Sequence, residues 1–361
     1  MSSETSRRKN DHIRICSEKP VEARNVKPGF GDVHLIHRCL PEVNPDELDL
    51  STEFLGFEFK APIVISAMTG GTSKAAEINA NLAKAAEEHG IGMCLGSGRA
   101  FLEKPSLAYS FKVARENAPS IFISANIGFQ ELFRYSWSSL RRLVESIGAD
   151  ALTVHLNPLQ ELLQYEGAPR FRGILERLRR LIEDSEVPVI VKETGSGISM
   201  EDARLLSSIG VDAIEVAGAG GTSWASVEYY RSLEAGEVEK ARLAETFWDW
   251  GIPTVSSIIE VRSITDAPLI ASGGVRSGLD VAKALVLGAD LAGLALPLLK
   301  PAMESWRSVS AVLGRICEEL RLAMVLTGSK TISELKEKPY ILTGFTRDWV
   351  KSRGLKVRCK I

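Results

Sequence analysis

The chain has 361 residues, 45% hydrophobic and 25% charged, and its 44 Lys and Arg against 46 Asp and Glu leave a formal net charge of -2. This is the composition of an average globular protein. It excludes a disordered, collagen-like or disulfide-stapled chain, and the missing basic excess argues against a general nucleic-acid binder, so any anionic ligand must be met by a local concentration of positive charge.

The chain begins MSSETSRRKNDHIRI, polar and charged, without the apolar core of a signal peptide. At roughly 150 residues per domain the length suits two domains or one large α/β barrel with extensions. Residues 1–60 carry Pro and Gly breaks (Pro28, Gly29, Gly31, Pro41, Pro45) and read as a basic arm plus an extension across a barrel floor. From residue 61 to the end the reading is one barrel with a C-terminal helix and tail. Eight nearly continuous apolar runs follow one another: 61–67, 91–96, 120–128, 151–157, 187–193, 213–218, 267–274 and 290–296. Such runs suit parallel strands covered on both faces, and amphipathic segments such as 74–89, 171–184, 200–209 and 279–287 fill the gaps. Gly90, Gly148, Gly210 and Gly288 stand where left-handed helix caps would turn the chain back into a strand. Eight β-α units predict an α/β fold, a (β/α)8 TIM barrel with an N-terminal extension. After residue 300 a long helix and a tail ending RGLKVRCKI are expected. The stretch 286–299 is too short to span a bilayer and contains Asp290. The five cysteines are scattered, odd in number and lack C-x-x-C spacing, which points to a reducing cytoplasm and to no zinc site.

In such barrels the chemistry sits at the C-terminal strand ends, and polar groups fall at seven of the eight. The strongest signal is ASGGVRSGLDVAKAL after the seventh run, where two glycines and Arg276 precede a helix, a pattern suited to phosphate oxygens. Thr222, in the glycine-rich loop after the sixth run, is placed to join it. Lys192 ends an apolar fifth run, so it either pairs with a carboxylate such as Glu193 or Glu215, or serves as an amine or as a cation beside an electron-rich ring. After the fourth run come His155, Asn157, Gln160 and Glu161. Asn157 either caps a short helix over 158–164 or faces a ligand, and Glu161 offers oxygen to Mg²⁺. Ser97 and Asn126 are small hydrogen-bonding residues at strand ends.

MTGG, HLNPLQE, GAGGTSW and ASGGVRSGLDVAKAL, together with RKNDH near the N-terminus, resemble type 2 isopentenyl-diphosphate isomerases. These are FMN-dependent (β/α)8 enzymes of isoprenoid biosynthesis. The resemblance implies that Ala67, Met68, Thr69, Ser97, Asn126 and Lys192 contact FMN, and that Thr222, Gly274, Val275, Arg276, Ala295 and Leu296 hold its phosphate. Arg8, Lys9, His12, Ser97, Arg99, His155, Asn157, Gln160 and Trp224 would surround the diphosphate substrate, with Glu161 on Mg²⁺. Lys192, His155 and Gln160 would serve catalysis, His12 and His155 would help to neutralise the diphosphate, and NAD(P)H would reduce the flavin. A cytoplasmic homo-oligomer (tetramer or octamer) is expected, with no nucleic-acid or membrane partner. A 2-hydroxy-acid-oxidase-like barrel would want a histidine near the seventh strand end, where this sequence has none. A phospholigand-binding barrel without catalysis would not need polar groups at so many strand ends.

Overall fold

The computed structural model describes residues 4–164 and 169–357, so the last four tail residues, with Cys359, lie outside the described residues. Before the barrel come strand β1 (Val33–Leu35) and a hairpin of β2 (Thr52–Phe54) and β3 (Phe57–Phe59). The barrel strands are β4 (Ile63–Ile65), β5 (Gly92–Cys94), β6 (Ile123–Gly128), β7 (Ala151–His155), β8 (Val189–Lys192), β9 (Ala213–Glu215), β10 (Leu269–Ser272) and β11 (Leu291–Leu294). All pair in parallel in sequence order, and β11 closes onto β4. Each of the eight apolar runs thus contributes one strand to a TIM barrel. The expected helices form at Ser73–His89, Ile174–Asp184, Met200–Ser208 and Gly278–Val286. All four cap glycines take positive φ: Gly90 at 59°, Gly148 at 69°, Gly210 at 75° and Gly288 at 105°.

The strands are apolar on both faces for a reason visible in their alternation. Ile63 and Ile65 join the core beneath the helices, whereas Val64 points inward. Inward residues from the strands, Val64, Cys94, Ala151, Ile190, Ala213, Ile270 and Leu291, meet Phe54, Phe59 and Phe122 at the barrel floor. The two-residue turn of the β2–β3 hairpin, Leu55 (φ 52°) and Gly56 (φ 81°), has positive φ at both positions. That twist matches paired strands, and it delivers Phe54 and Phe59 to the floor, where Phe54 meets Phe122 edge to face at 6.1 Å. Burying such an aromatic contributes about 1.5–3 kcal/mol.

Two segments differ from the sequence expectation. The basic arm is a helix, Glu4–Glu18, lying across the barrel mouth of its own chain with Ile13 and Ile15 buried beneath it. The C-terminal part is more than a long helix and a tail. After Trp306–Thr327 come a helix at Ile332–Lys336, a strand β12 (Tyr340–Leu342) and a helix at Gly344–Ser352. β12 pairs antiparallel with β1. Trp349 and Arg353 both donate to the buried carboxylate of Glu260, and Arg353 also reaches Glu201. The partner of β12 is some 300 residues away in sequence, so no local pattern announces it. Among the described residues no helix is long and apolar enough to cross a membrane.

Candidate active site

A cavity of about 190 Å³ occupies the C-terminal end of the barrel, walled by strand ends and roofed by the Glu4–Glu18 helix. Three contacts pin that roof down. Thr5 donates to Glu103 at 2.6 Å, Arg8 to the Gln164 side-chain oxygen at 2.6 Å, and Arg14 to Glu234 at 2.5 Å. They tie the helix to the segments after β5, β7 and β9.

The expected residues converge on this cavity. Ala67, Met68 and Thr69 reach it after β4, Ser97 and Arg99 after β5, and Asn126 from within β6. His155, Asn157, Gln160 and Glu161 come from the end of β7, Lys192 from β8, Thr222 and Trp224 after β9, and Gly274 and Arg276 after β10. Ala295 and Leu296 complete the wall after β11, and Arg8, Lys9 and His12 face it from the roof. Val275 is the departure: it is 1% exposed and its side chain joins the core behind the wall.

The glycine segment after β10 also differs in detail. Gly273 and Gly274 have φ of 101° and 73°, and a Cβ on Gly273 would lie 2.2 Å from the Gly218 carbonyl oxygen, so the loop is closely packed and needs glycine. The helix that follows is already capped. Asp280 accepts from the backbone N–H groups of Arg276 and Ser277, and Glu319 accepts from that of Gly278. The helix N-terminus is therefore occupied by protein carboxylates. Arg276 is held by Glu22 through Nε at 3.2 Å and Nη2 at 2.5 Å.

Charge in the cavity is organised by burial. Lys9 is 8% exposed. Desolvation, reinforced by Arg8 and Arg99, pulls its ammonium from 10.5 down to about 7. Burial also disfavours the charged form of the two histidines expected to help neutralise a diphosphate. Burial lowers His12 to about 4, and burial with the charges of Lys192, Lys9 and Arg8 lowers His155 to about 3. His155 Nδ1 lies 2.6 Å from Asn126 Oδ1, which can only accept, so the ring proton sits on Nδ1 and Nε2 is left as an acceptor. His12 stands edge-on to Trp224, with ring centroids 5.0 Å apart.

The β7 loop forms a locked amide chain. Asn157 heads the Pro158–Leu163 helix, yet its side chain makes no capping bond. Its Nδ2 donates to Gln160 Oε1 at 3.0 Å and to Glu161 Oε1 at 3.2 Å. Gln160 Nε2 in turn donates to Glu228 at 3.2 Å, which fixes both ends of the Gln160 amide. Lys192 keeps both roles left open by the sequence: it faces the cavity, and its Nζ lies 3.7 Å from Glu215.

Sequence reasoning missed Glu131 and Glu228. Glu131 is 3% exposed on the cavity wall, where burial raises its pKa, and one of its oxygens lies 3.7 Å from Arg99 Nε. Its place directly after β6 was a usable signal. Burial alone would raise the Glu228 carboxyl, but His12, whose Nε2 lies 3.5 Å away, and the charge of Arg231 hold it below the usual range. The buried face of helix Trp224–Ala235 mixes Ala225 and Val227 with Ser226, Arg231 and Ser232, so nothing in the sequence singled this acid out.

Known proteins agree with this architecture. The FMN-dependent dehydrogenase family profile matches residues 1–103 and 141–342. The isopentenyl-diphosphate delta-isomerase of Methanosarcina mazei is 49% identical over 358 residues, covering 99% of this chain and 98% of that protein. That of Thermococcus kodakarensis is 49% identical over 355 residues, covering 96% and 94%. Among solved structures, mandelate oxidase with (S)-2-phenylpropionate superposes with a TM-score of 0.64 at 18% identity, covering 94% of this chain and 98% of that one. A flavocytochrome b2 with sulfite bound reaches 0.67 at 19% identity, covering 90% and 81%. At such identities these two share the fold alone, whereas the near full-length matches at 49% are decisive: this chain belongs to the FMN-dependent dehydrogenase family and, within it, to the isopentenyl-diphosphate delta-isomerases.

Proposed function

We propose that this chain is an isomerase that interconverts isopentenyl diphosphate and dimethylallyl diphosphate, using reduced FMN, in isoprenoid biosynthesis. The observation that carries the reading is one cavity with Arg8, Lys9 and Arg99 at its roof and rim and Lys192 at its floor. The cations suit a diphosphate, and the floor suits a cofactor ring. The wall fits FMN: Thr69 Oγ1 is buried there without a hydrogen-bond partner among the described residues, and the Gly273-Gly274 turn presents backbone toward a phosphate. Ala67, Met68, Ser97 and Asn126 would flank the ring, and Thr222, Arg276, Ala295 and Leu296 would surround the phosphate. Reduced FMN, when bound, supplies acid–base chemistry for adding and removing alkene protons, a task that carboxylates with pKa near 4 match poorly.

The chain's own residues do the rest. Arg8, Lys9 and Arg99 bind the diphosphate through charge-assisted hydrogen bonds of about 1.5–3 kcal/mol each. Neutral His155 and the locked Asn157–Gln160 pair orient the carbons next to it. Trp224 and Met68 shape the apolar wall, and the roof helix keeps water out. Glu161, beside the unpartnered Asn157 Oδ1, offers oxygen for Mg²⁺ shared with the substrate, which is how that ion is usually held. Among the described residues no group of three or more acidic, His or Cys side chains forms a metal cluster, so the substrate would complete the coordination. NAD(P)H as reductant, a homo-oligomeric assembly, a cytoplasmic location and a division into residues 1–60 and 61–361 belong to the same proposal. The test is anaerobic incubation of the FMN-reduced protein with isopentenyl diphosphate in D₂O. Deuterated dimethylallyl diphosphate without net flavin oxidation is expected; net oxidation of flavin with consumption of the substrate would overturn the reading.

A further inference from the structure

The inner wall of the barrel, at the bottom of the cavity, carries an unusual carboxylate. Glu215 ends β9, is 1% exposed, and lies directly across the ladder from Lys192 of β8. Its Oε1 accepts from Ser66 at 2.9 Å and from Ser272 at 2.7 Å, and lies 3.7 Å from Lys192 Nζ. Its Oε2 is buried and has no hydrogen-bond partner among the described residues. Ser272 reaches this carboxylate from the neighbouring β10, and Ser66 reaches it from beyond β11 because residue 293 is glycine: a Cβ there would lie 2.3 Å from Ser66 Oγ and 2.8 Å from Ser272 Cβ. Ser66, Ser272, Gly293, Lys192 and Glu215 all line the cavity. Four strands thus converge to hold one negative charge against the one lysine at the cavity floor. A TIM barrel can fill this layer with Val, Ile or Leu, and a buried ion pair is often no more stable than its apolar replacement. Stability does not account for the cluster.

We propose that Glu215 is a positioning residue for the reaction: it fixes the Lys192 ammonium at the cavity floor and, as its counter-charge, sets how strongly that lysine favours the reduced cofactor. This rests on the reading that the cavity takes FMN. Lys192 is held from two sides, since Nζ also donates to the Glu193 carbonyl at 2.5 Å. Reduction adds negative charge to a flavin ring. A lysine whose charge is partly cancelled by Glu215 stabilises that form less than a bare lysine would. Glu215 therefore keeps the bound flavin from being over-stabilised as the reduced anion while holding the ammonium in place.

The experiment compares wild type with Glu215→Gln, reading the affinities of the apoprotein for oxidised and reduced FMN and the midpoint potential of the bound flavin. Removing the counter-charge is expected to raise the preference for reduced over oxidised FMN at least tenfold, a positive shift of about 30 mV for a two-electron couple. Glu215→Asp, which keeps the charge, is expected to stay near the wild-type potential. An unshifted potential in folded, flavin-bound Glu215→Gln overturns the inference, as does an equal shift in Glu215→Asp. Should the single variant fail to fold because Lys192 is left without its counter-charge, Ser66→Ala/Ser272→Ala, which removes both hydrogen bonds from Glu215 Oε1 and keeps Lys192, is compared with wild type. A carboxylate less neutralised by the serines cancels more of the lysine's charge, so a lower potential is expected, and an unshifted or raised potential overturns the inference. If wild-type protein binds no FMN at all, it is the functional reading that fails.

Discussion

The two ends of the barrel are built on opposite terms. The floor is aromatic and aliphatic: Phe54, Phe59 and Phe122 close it against Val64, Ile190, Ile270 and Leu291. The mouth buries Lys9, Lys192, Glu131 and Glu215, and it leaves Thr69 Oγ1, Glu131 Oε1, Asn157 Oδ1 and Glu215 Oε2 without hydrogen-bond partners among the described residues. An unmet buried polar group costs about 1–3 kcal/mol. The mouth is therefore the strained end and the floor the stabilising one, as expected where stability is surrendered to place reactive groups.

The sharpest break of this contrast is Lys192→Met. Turnover is expected to fall about a thousandfold, from loss of a preorganised charge at the reacting centre. Stability should fall by about 3–5 kcal/mol, because Glu215 is then buried without its cation. Steady-state kinetics and denaturant melts read the two effects; near-normal turnover would remove Lys192 from the mechanism. At the other end, Phe59→Ala is expected to cost about 3–5 kcal/mol with kcat of the folded fraction unchanged at 25 °C. A tenfold loss of kcat there would mean that floor and mouth are coupled.

Lys9 gives a pH test of the mouth. Its pKa falls from 10.5 to about 7 on folding, so between those values the unfolded chain holds the extra proton and stability rises with pH across that window. An anion beside the ammonium reverses the shift. Inorganic diphosphate is therefore expected to bind with proton uptake at pH 8, read by calorimetry in buffers of differing ionisation enthalpy, and Lys9→Met should abolish the uptake. Unchanged uptake in that variant would place the proton elsewhere. The smallest effect is expected of Glu161→Gln: about a tenfold higher Mg²⁺ requirement, ~1.4 kcal/mol, with the melt shifted by less than about 0.5 kcal/mol. An unchanged metal titration would exclude the ligand role.

Much of the site was legible because barrel topology turns sequence position into spatial position. Once eight strands are counted, Thr69, Asn126, His155, Lys192 and Gly274 must share one face. Glu131 had such an address, directly after β6, and was missed all the same; the rest of what escaped had none or depended on neighbours. Glu228 sits inside a helix and meets the site through Gln160 and His12. The neutral state of His12 and His155 follows from burial and surrounding cations, neither of which a residue type reveals. The helix N-terminus after β10 looked free for phosphate, but Glu319, which lies 41 residues from Gly278, takes one of its donors.

The eight-fold parallel order, the cap glycines and the family could be read from the amino acids alone, because these rest on local periodicity, backbone stereochemistry and motif spacing. With a net charge of -2, any anionic ligand needed a local cationic cluster, and the family resemblance suggested its members. It took the folded chain to show that the N-terminal segment is a helical roof over its own barrel, that β12 pairs with β1, and which buried carboxylate answers each buried cation. Those outcomes depend on long-range contacts and desolvation, which exist only once distant parts of the chain have excluded water together.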